Sequence, residues 1–264
     1  MCYLAHAATL ATLAPMLLPL AIAATTASLA AGGYHYAALW PQSRFFGHAI
    51  LAGSNPAEVA LTYDDGPNDP YTHQLLDVLS RHQIRATFFL IGQFAKQYPQ
   101  VVKAVHQAGH LIGSHTMHHP PLMYSSRKRI RSELAATTAI LEDTIGERVR
   151  YFRPPFGARR PELFHILREM DQVPVMWNVT AHDWNARSAA EIEERIERGI
   201  LRNQRRRRGS NILLHDGSHT AFGVDRRRTV TATANLLALA PRGGMRFVTV
   251  DAWAAEPSLV SCSA

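Results

Sequence analysis

Residues 59–67 read VALTYDDGP, and the reading of the first five decides the fold. A strand with one wet face alternates apolar and polar residues, and VALTY does not alternate. A continuous apolar run of strand length belongs to a strand covered on both faces, as in a parallel sheet flanked by helices. Asp65-Gly66-Pro67 then supplies turn chemistry.

The pattern recurs along the chain. Further apolar runs are ATFFLIG (86–92), HLIGS (110–114), RYFRPPF (150–156), VPVMWNV (173–179), NILLH (211–215) and MRFVTV (245–250), seven in all. Stretches of helical period lie between them. Residues 70–82 align Leu75, Leu76 and Leu79, and residues 94–108 align Phe94, Val101, Val102 and Val105. Residues 126–144 run to a stop at Gly146, and Pro161 suits the first turn of the next helix. Ser188 and Glu191 open 188–202 at capping-box spacing, and 228–240 closes the series. Strands alternating with helices predict an α/β fold, and seven of them predict a closed or nearly closed (β/α)7 barrel.

Composition bounds the rest. The 264 residues are 47% hydrophobic, which excludes disorder as the main theme. The formal charge of +7 favours an anionic partner. Much of it sits in the runs 205–208 and 226–228, read as solvated helix ends and loops; without zinc-finger spacing or interleaved aromatics, no nucleic-acid partner is expected. Cys2 and Cys262 exclude a disulfide framework and a thiolate metal site. Met1 to Ser43 carries no Lys, Arg, Asp or Glu. Residues 1–31 therefore read as a signal peptide or a transmembrane anchor, implying export, with Met16 an alternative start. Residues 32–54 connect this leader to one catalytic domain, 55–264.

Polar clusters fall where the apolar runs end: Asp64-Asp65, His115, Arg153 to Gly157, His182-Asp183-Trp184 and His215-Asp216. In barrels of this kind that rim carries the active site. His115 and His119 stand four apart, the spacing of one helical turn, and His118 is a bystander. Two histidines with the carboxylate of Asp65 make a metal set that keeps positions open for reactants. A turn explains Asp65 but not Asp64, so the pair reads as ligand plus base. His215 suits a general acid with Asp183 orienting it, and Arg153 suits an orienting partner for Asp64.

The motifs TYDDGP (62–67), HTMHH (115–119), RPPFG (153–157), HDW (182–184) and LLH (213–215) come in an order that resembles the polysaccharide deacetylases with a NodB homology domain. The resemblance spans about 200 residues of the chain. It implies a distorted (β/α)7 barrel and metal-dependent hydrolysis of N-acetyl, or sometimes O-acetyl, groups on a glycan. Peptidoglycan, chitin-type polymers and acetylated xylan all stay open as substrates. By resemblance Asp64 is the base, and Asp65, His115 and His119 hold one divalent ion, zinc first, with cobalt, nickel or manganese as substitutes. Arg153 orients Asp64. His215 is the acid, oriented by Asp183. The Phe156 N–H helps hold the oxyanion, and Trp184, Leu213, Pro155 and Tyr63 belong to the substrate pocket. Departures are Thr180 where an acid is common, Phe156 for Tyr, and Tyr63 for Phe. A deformylase or deacylase of a lipid-linked sugar and a non-catalytic wall-binding barrel are the alternatives. The resemblance implies an N-acetylated glycan as partner; the uncharged leader implies membrane association through the N-terminus, and a monomer is expected.

Overall fold

The structure is a computed structural model that describes residues 25–239 and 244–254. Most of the leader, 1–24, and both cysteines lie outside the described residues. Within them, no helix is long and apolar enough to cross a membrane. Residues 25–39 form a helix, α1, that buries only Ala37 and Ala38.

The strands are β1 (Glu58–Gly66), β2 (Thr87–Leu90), β3 (Leu111–Ser114), β4 (Tyr151–Phe152), β5 (Val173–Pro174), β6 (Val179–Thr180), β7 (Ser210–His215) and β8 (Arg246–Phe247). They form one parallel sheet in the order β5-β4-β3-β2-β1-β7-β6, with β8 also paired to β1. The expected strand 173–179 is thus two edge strands. Its first residues pair with β4 and its last with β7, so a single run of chain joins the opposite edges of the curled sheet. The result is the expected distorted barrel. Ile50 fills part of the gap between those two pieces by bridging to Val175, which places part of the segment 32–54 in the wall.

The helices after α1 are α2 (Tyr71–Arg81), α3 (Gly92–Gln97), α4 (Pro99–Gln107), α5 (Arg127–Ile145), α6 (Pro161–Glu169), α7 (Ala189–Arg205) and α8 (Arg227–Leu239). The stretch expected as one helix over 94–108 is two, because Pro99 has no N–H to continue the first and instead starts the second. Ser126 caps α5, and Gly146 ends it in the left-handed conformation at φ 73°. Ser188 caps α7 by accepting from the Glu191 N–H, and the Glu191 carboxylate reaches back to the Arg187 N–H. The expected strand 150–156 shrinks to two residues because Pro154 and Pro155 cannot donate to a ladder.

Strand parity sorts the core. Val59, Leu61 and Tyr63 face the helices together with Phe88, Leu90, Ile212 and Leu214. Ala60 faces inward with Phe89, Val175 and Trp253. Tyr63 therefore leaves the expected pocket set. It is fully buried behind the sheet, stacked on Phe88 at 5.0 Å, with its hydroxyl 2.9 Å from the Thr233 hydroxyl. Tyr63→Phe should lower stability to urea by roughly 1–2 kcal/mol, the cost of stranding a buried hydroxyl, and leave KM unchanged.

Candidate active site and metal centre

The site starts from an irregularity at the end of β1. Adjacent residues of a regular strand point to opposite faces. The register of β1 on β2 shifts between Asp64 and Gly66, and Asp65 takes φ 72°. This bulge turns both carboxylates onto the same cavity. Gly217, after β7, crosses so close that a Cβ there would run into the Asp65 carbonyl.

Arg153 stands at the barrel's centre with no exposed surface. Its Nη1 donates to Asp64 Oδ1 and to the Thr62 hydroxyl, each at 2.8 Å. Its Nη2 donates to the Met176 carbonyl at 3.1 Å, and its guanidinium lies 4.2 Å from the Phe89 ring centre. The Arg153 carbonyl in turn accepts from His115 Nδ1–H at 2.7 Å. A carbonyl only accepts, so this bond fixes the tautomer and leaves the His115 Nε2 lone pair facing the cavity.

That nitrogen is 3.5 Å from Asp65 Oδ1, and His119 Nε2 is 3.2 Å from the same oxygen. The ligand atoms of Asp65, His115 and His119 all lie within 4.8 Å of one another, and all three residues are buried. Asp65 Oδ1 has no hydrogen-bond partner, an orphaned buried anion of the kind a cation satisfies. Burial would raise the Asp65 pKa, but the imidazoles of His115 and His219 outweigh it and hold this carboxyl well below its usual range. Burial, assisted by His115, pulls the His119 imidazole down to about 3, so it is neutral and able to ligate. The donor set fits a divalent ion. The two histidines converge by a different route from the expected helical turn: Thr116 and His119 adopt φ 66° and 57°, and the rings meet at 4.9 Å in a loop. His118 turns away to the buried Glu133, as a bystander should.

Across the cavity, His215 Nδ1–H donates to Asp183 Oδ1 at 2.8 Å. The other oxygen of Asp183 accepts from the His215 N–H and the Thr229 hydroxyl, both at 2.8 Å. Burial disfavours the imidazolium, but Asp183 overcomes this and pushes His215 up to about 9. Asp183, also buried, is held below its usual value mainly by His215. Trp184 packs edge-on against His215 at 5.0 Å.

The cavity holds about 520 Å³, and Phe156, Trp184 and Leu213 line it. Phe156 sits at φ 57° with its ring edge-on to His119 at 4.6 Å. Pro155 is buried beside it and does not line the cavity, because the turn presents Phe156 instead. Trp177, His219 and Arg226 also line it and were missed by sequence reasoning. Trp177 lay inside an apolar run read as plain strand. His219 stacks on His119 at 4.4 Å; its place four residues after His215 was the available signal. Arg226 corrects the reading of 226–228 as solvated: it is buried and donates to the Gly217 carbonyl at 2.7 Å.

A profile described as "Polysaccharide deacetylase" matches residues 52–175. A peptidoglycan-N-acetylglucosamine deacetylase of Bacillus cereus is 34% identical over 207 residues, covering 78% of this chain and 71% of the relative. A chitooligosaccharide deacetylase of Azorhizobium caulinodans is 37% identical over 172 residues, covering 65% of this chain and 79% of the relative. A solved peptidoglycan N-acetylglucosamine deacetylase superposes with a TM-score of 0.69 at 31% identity, covering 81% of this chain and 93% of that one. With a barrel of the same build and relatives this similar over most of their length, the chain belongs to the polysaccharide deacetylase family.

Proposed function

We propose that the protein hydrolyses N-acetyl groups on glucosamine residues of an envelope glycan, with peptidoglycan as the polymer and residues 55–264 as the catalytic unit. The observation that carries this reading is the division of labour across one cavity. One carboxylate is tied to an arginine on one side, one imidazole is tied to an aspartate on the other, and a metal-ligand set lies beside them. A non-catalytic barrel would have no use for two separately tuned proton carriers.

Zinc bound by Asp65, His115 and His119 would supply Lewis-acid polarisation of the acyl oxygen and a lowered pKa for water. The chain's own groups do the rest. Arg153 occupies Asp64 Oδ1, which leaves Oδ2 to take the proton of the attacking water. The Phe156 N–H stabilises the charge that develops on the acyl oxygen. His215, kept protonated by Asp183, gives its proton to the departing nitrogen as the C–N bond breaks, releasing acetate and a free amine. Trp184 and Leu213 flank the sugar and the acetyl methyl group. Export follows from where such a polymer lies, and the uncharged N-terminal stretch supports it.

Asp64→Asn should abolish acetate release from N-acetylated glycan yet bind metal as the parent does, whereas His119→Ala should lose metal; metal content after dialysis and acetate release are the two readouts. A parent protein that keeps full rate after chelation would sink the metal role. The raised pKa of His215 means that the acid is present below about 9 and lost as pH rises through it. The alkaline limb of kcat/KM should fall there, and Asp183→Asn should move that limb to lower pH.

A further inference from the structure

A second cavity of about 540 Å³ adjoins the first, and Trp177 lines both. Its outer wall is the segment Trp40-Pro41-Gln42, and its opposite wall is the C-terminal end of α7 at Arg202 and Arg206. No acidic side chain lines it among the described residues. It is a built feature. The buried guanidinium of Arg159 has no carboxylate partner among the described residues and is spent on the backbone of the outer wall instead. It donates to the carbonyls of Trp40, Pro41 and Ser43. These bonds from Nη1 and Nη2 offset part of the cost of burying the charge. Trp177 is fixed as well, donating its Nε1–H to the Thr180 hydroxyl at 2.9 Å. Thr180 thus supports the ring that divides the two cavities.

The arginines along α7 fall into two sets. Arg195 and Arg198 are neutralised by Glu191 and Glu194 one turn earlier. Arg202 donates to the Asn178 carbonyl at 3.2 Å, and neither it nor Arg206 has an acidic partner among the described residues. Two cations without counter-ions, a half-exposed Trp40 and the edge of Trp177 make a concave surface with one chemistry. It fits a sugar ring that carries a carboxylate.

We propose that this cavity is a second glycan subsite that binds a carboxylate-bearing residue next to the sugar being deacetylated. It rests on the deacetylase reading above and sharpens it: Arg202 and Arg206 select an acidic glycan over a neutral one. In peptidoglycan every second sugar carries a lactyl carboxylate, often extended by a peptide; in chitin-type chains the neighbour is uncharged.

The test compares acetate release from a neutral N-acetylglucosamine tetrasaccharide and from an alternating N-acetylglucosamine–N-acetylmuramic acid tetrasaccharide, the latter with and without peptide. The double variant Arg202→Gln/Arg206→Gln should raise KM on the acidic substrate about tenfold and leave kcat, and KM on the neutral one, unchanged. Arg206→Lys should keep more of the preference than Arg206→Gln, and high salt should erase it. A penalty already seen on the peptide-free glycan assigns the lactyl carboxylate; one confined to the peptide-bearing glycan assigns the peptide. Equal losses on both substrates, or no loss on either, would overturn the proposal. So would unchanged kinetics accompanied by weaker binding to phosphatidylglycerol vesicles, which would make this face a lipid-docking surface. A parent protein that releases acetate from none of the glycans removes the deacetylase reading itself and the subsite with it.

Discussion

The site depends on one buried charge. Arg153 binds Asp64 with its side chain and His115 with its backbone carbonyl. One residue therefore sets both the direction of the proposed base and the tautomer of a proposed metal ligand. It also ties β1, β4 and the closing segment together through Thr62 and Met176. Removing one partner of a buried ion pair strands the other, at a cost of about 3–5 kcal/mol, so the arrangement resists drift. Without Arg153, Asp64 Oδ1 would lose its buried cationic hydrogen-bond donor.

Around that anchor, the remaining titratable groups are pushed apart by their surroundings. Asp65 stays ionised because imidazoles face it, and His119 stays neutral because burial and His115 disfavour its cation. Both states are the ones a metal ligand needs. His215, on the far wall, is driven the other way by Asp183. Behind the metal set, burial pushes Asp216 up to about 7, and the Thr72 hydroxyl donates to it from α2. The proposed proton donor, proton acceptor and metal ligands thus coexist within one cavity because each has a different neighbour.

Much of this was legible in the sequence, for a physical reason. A polar residue that ends a continuous apolar run has to emerge at a strand's C-terminal end, which put Asp64, His115, Asp183 and His215 on one rim. The fold class followed from the same runs. What was illegible was conformation rather than composition. Nothing in DDGP announces a left-handed Asp65, and four-residue spacing suggested a helical turn where Thr116 and His119 make a loop. Parity alone removes Tyr63 from the pocket: it is one residue from Asp64, with no bulge between them. Trp177 was hidden because an aromatic in an apolar run looks like core.

The same segment explains why there is a cavity at all. A fully hydrogen-bonded barrel fills its interior with side chains. Here the run from Val173 to Thr180 leaves one edge and joins the other, and between them the ladder is broken. Side chains take over its bonds: Asn178 accepts from the Asn211 N–H and donates to the Gly209 carbonyl, while the Asn211 side chain donates to the Met176 carbonyl. These bonds satisfy the backbone groups of Gly209, Asn211 and Met176 that they reach. Trp177 projects from that break, with the catalytic cavity on one side and the arginine-lined one on the other. Because Arg153 also binds the Met176 carbonyl, the dividing ring and the proposed base are held by the same cation.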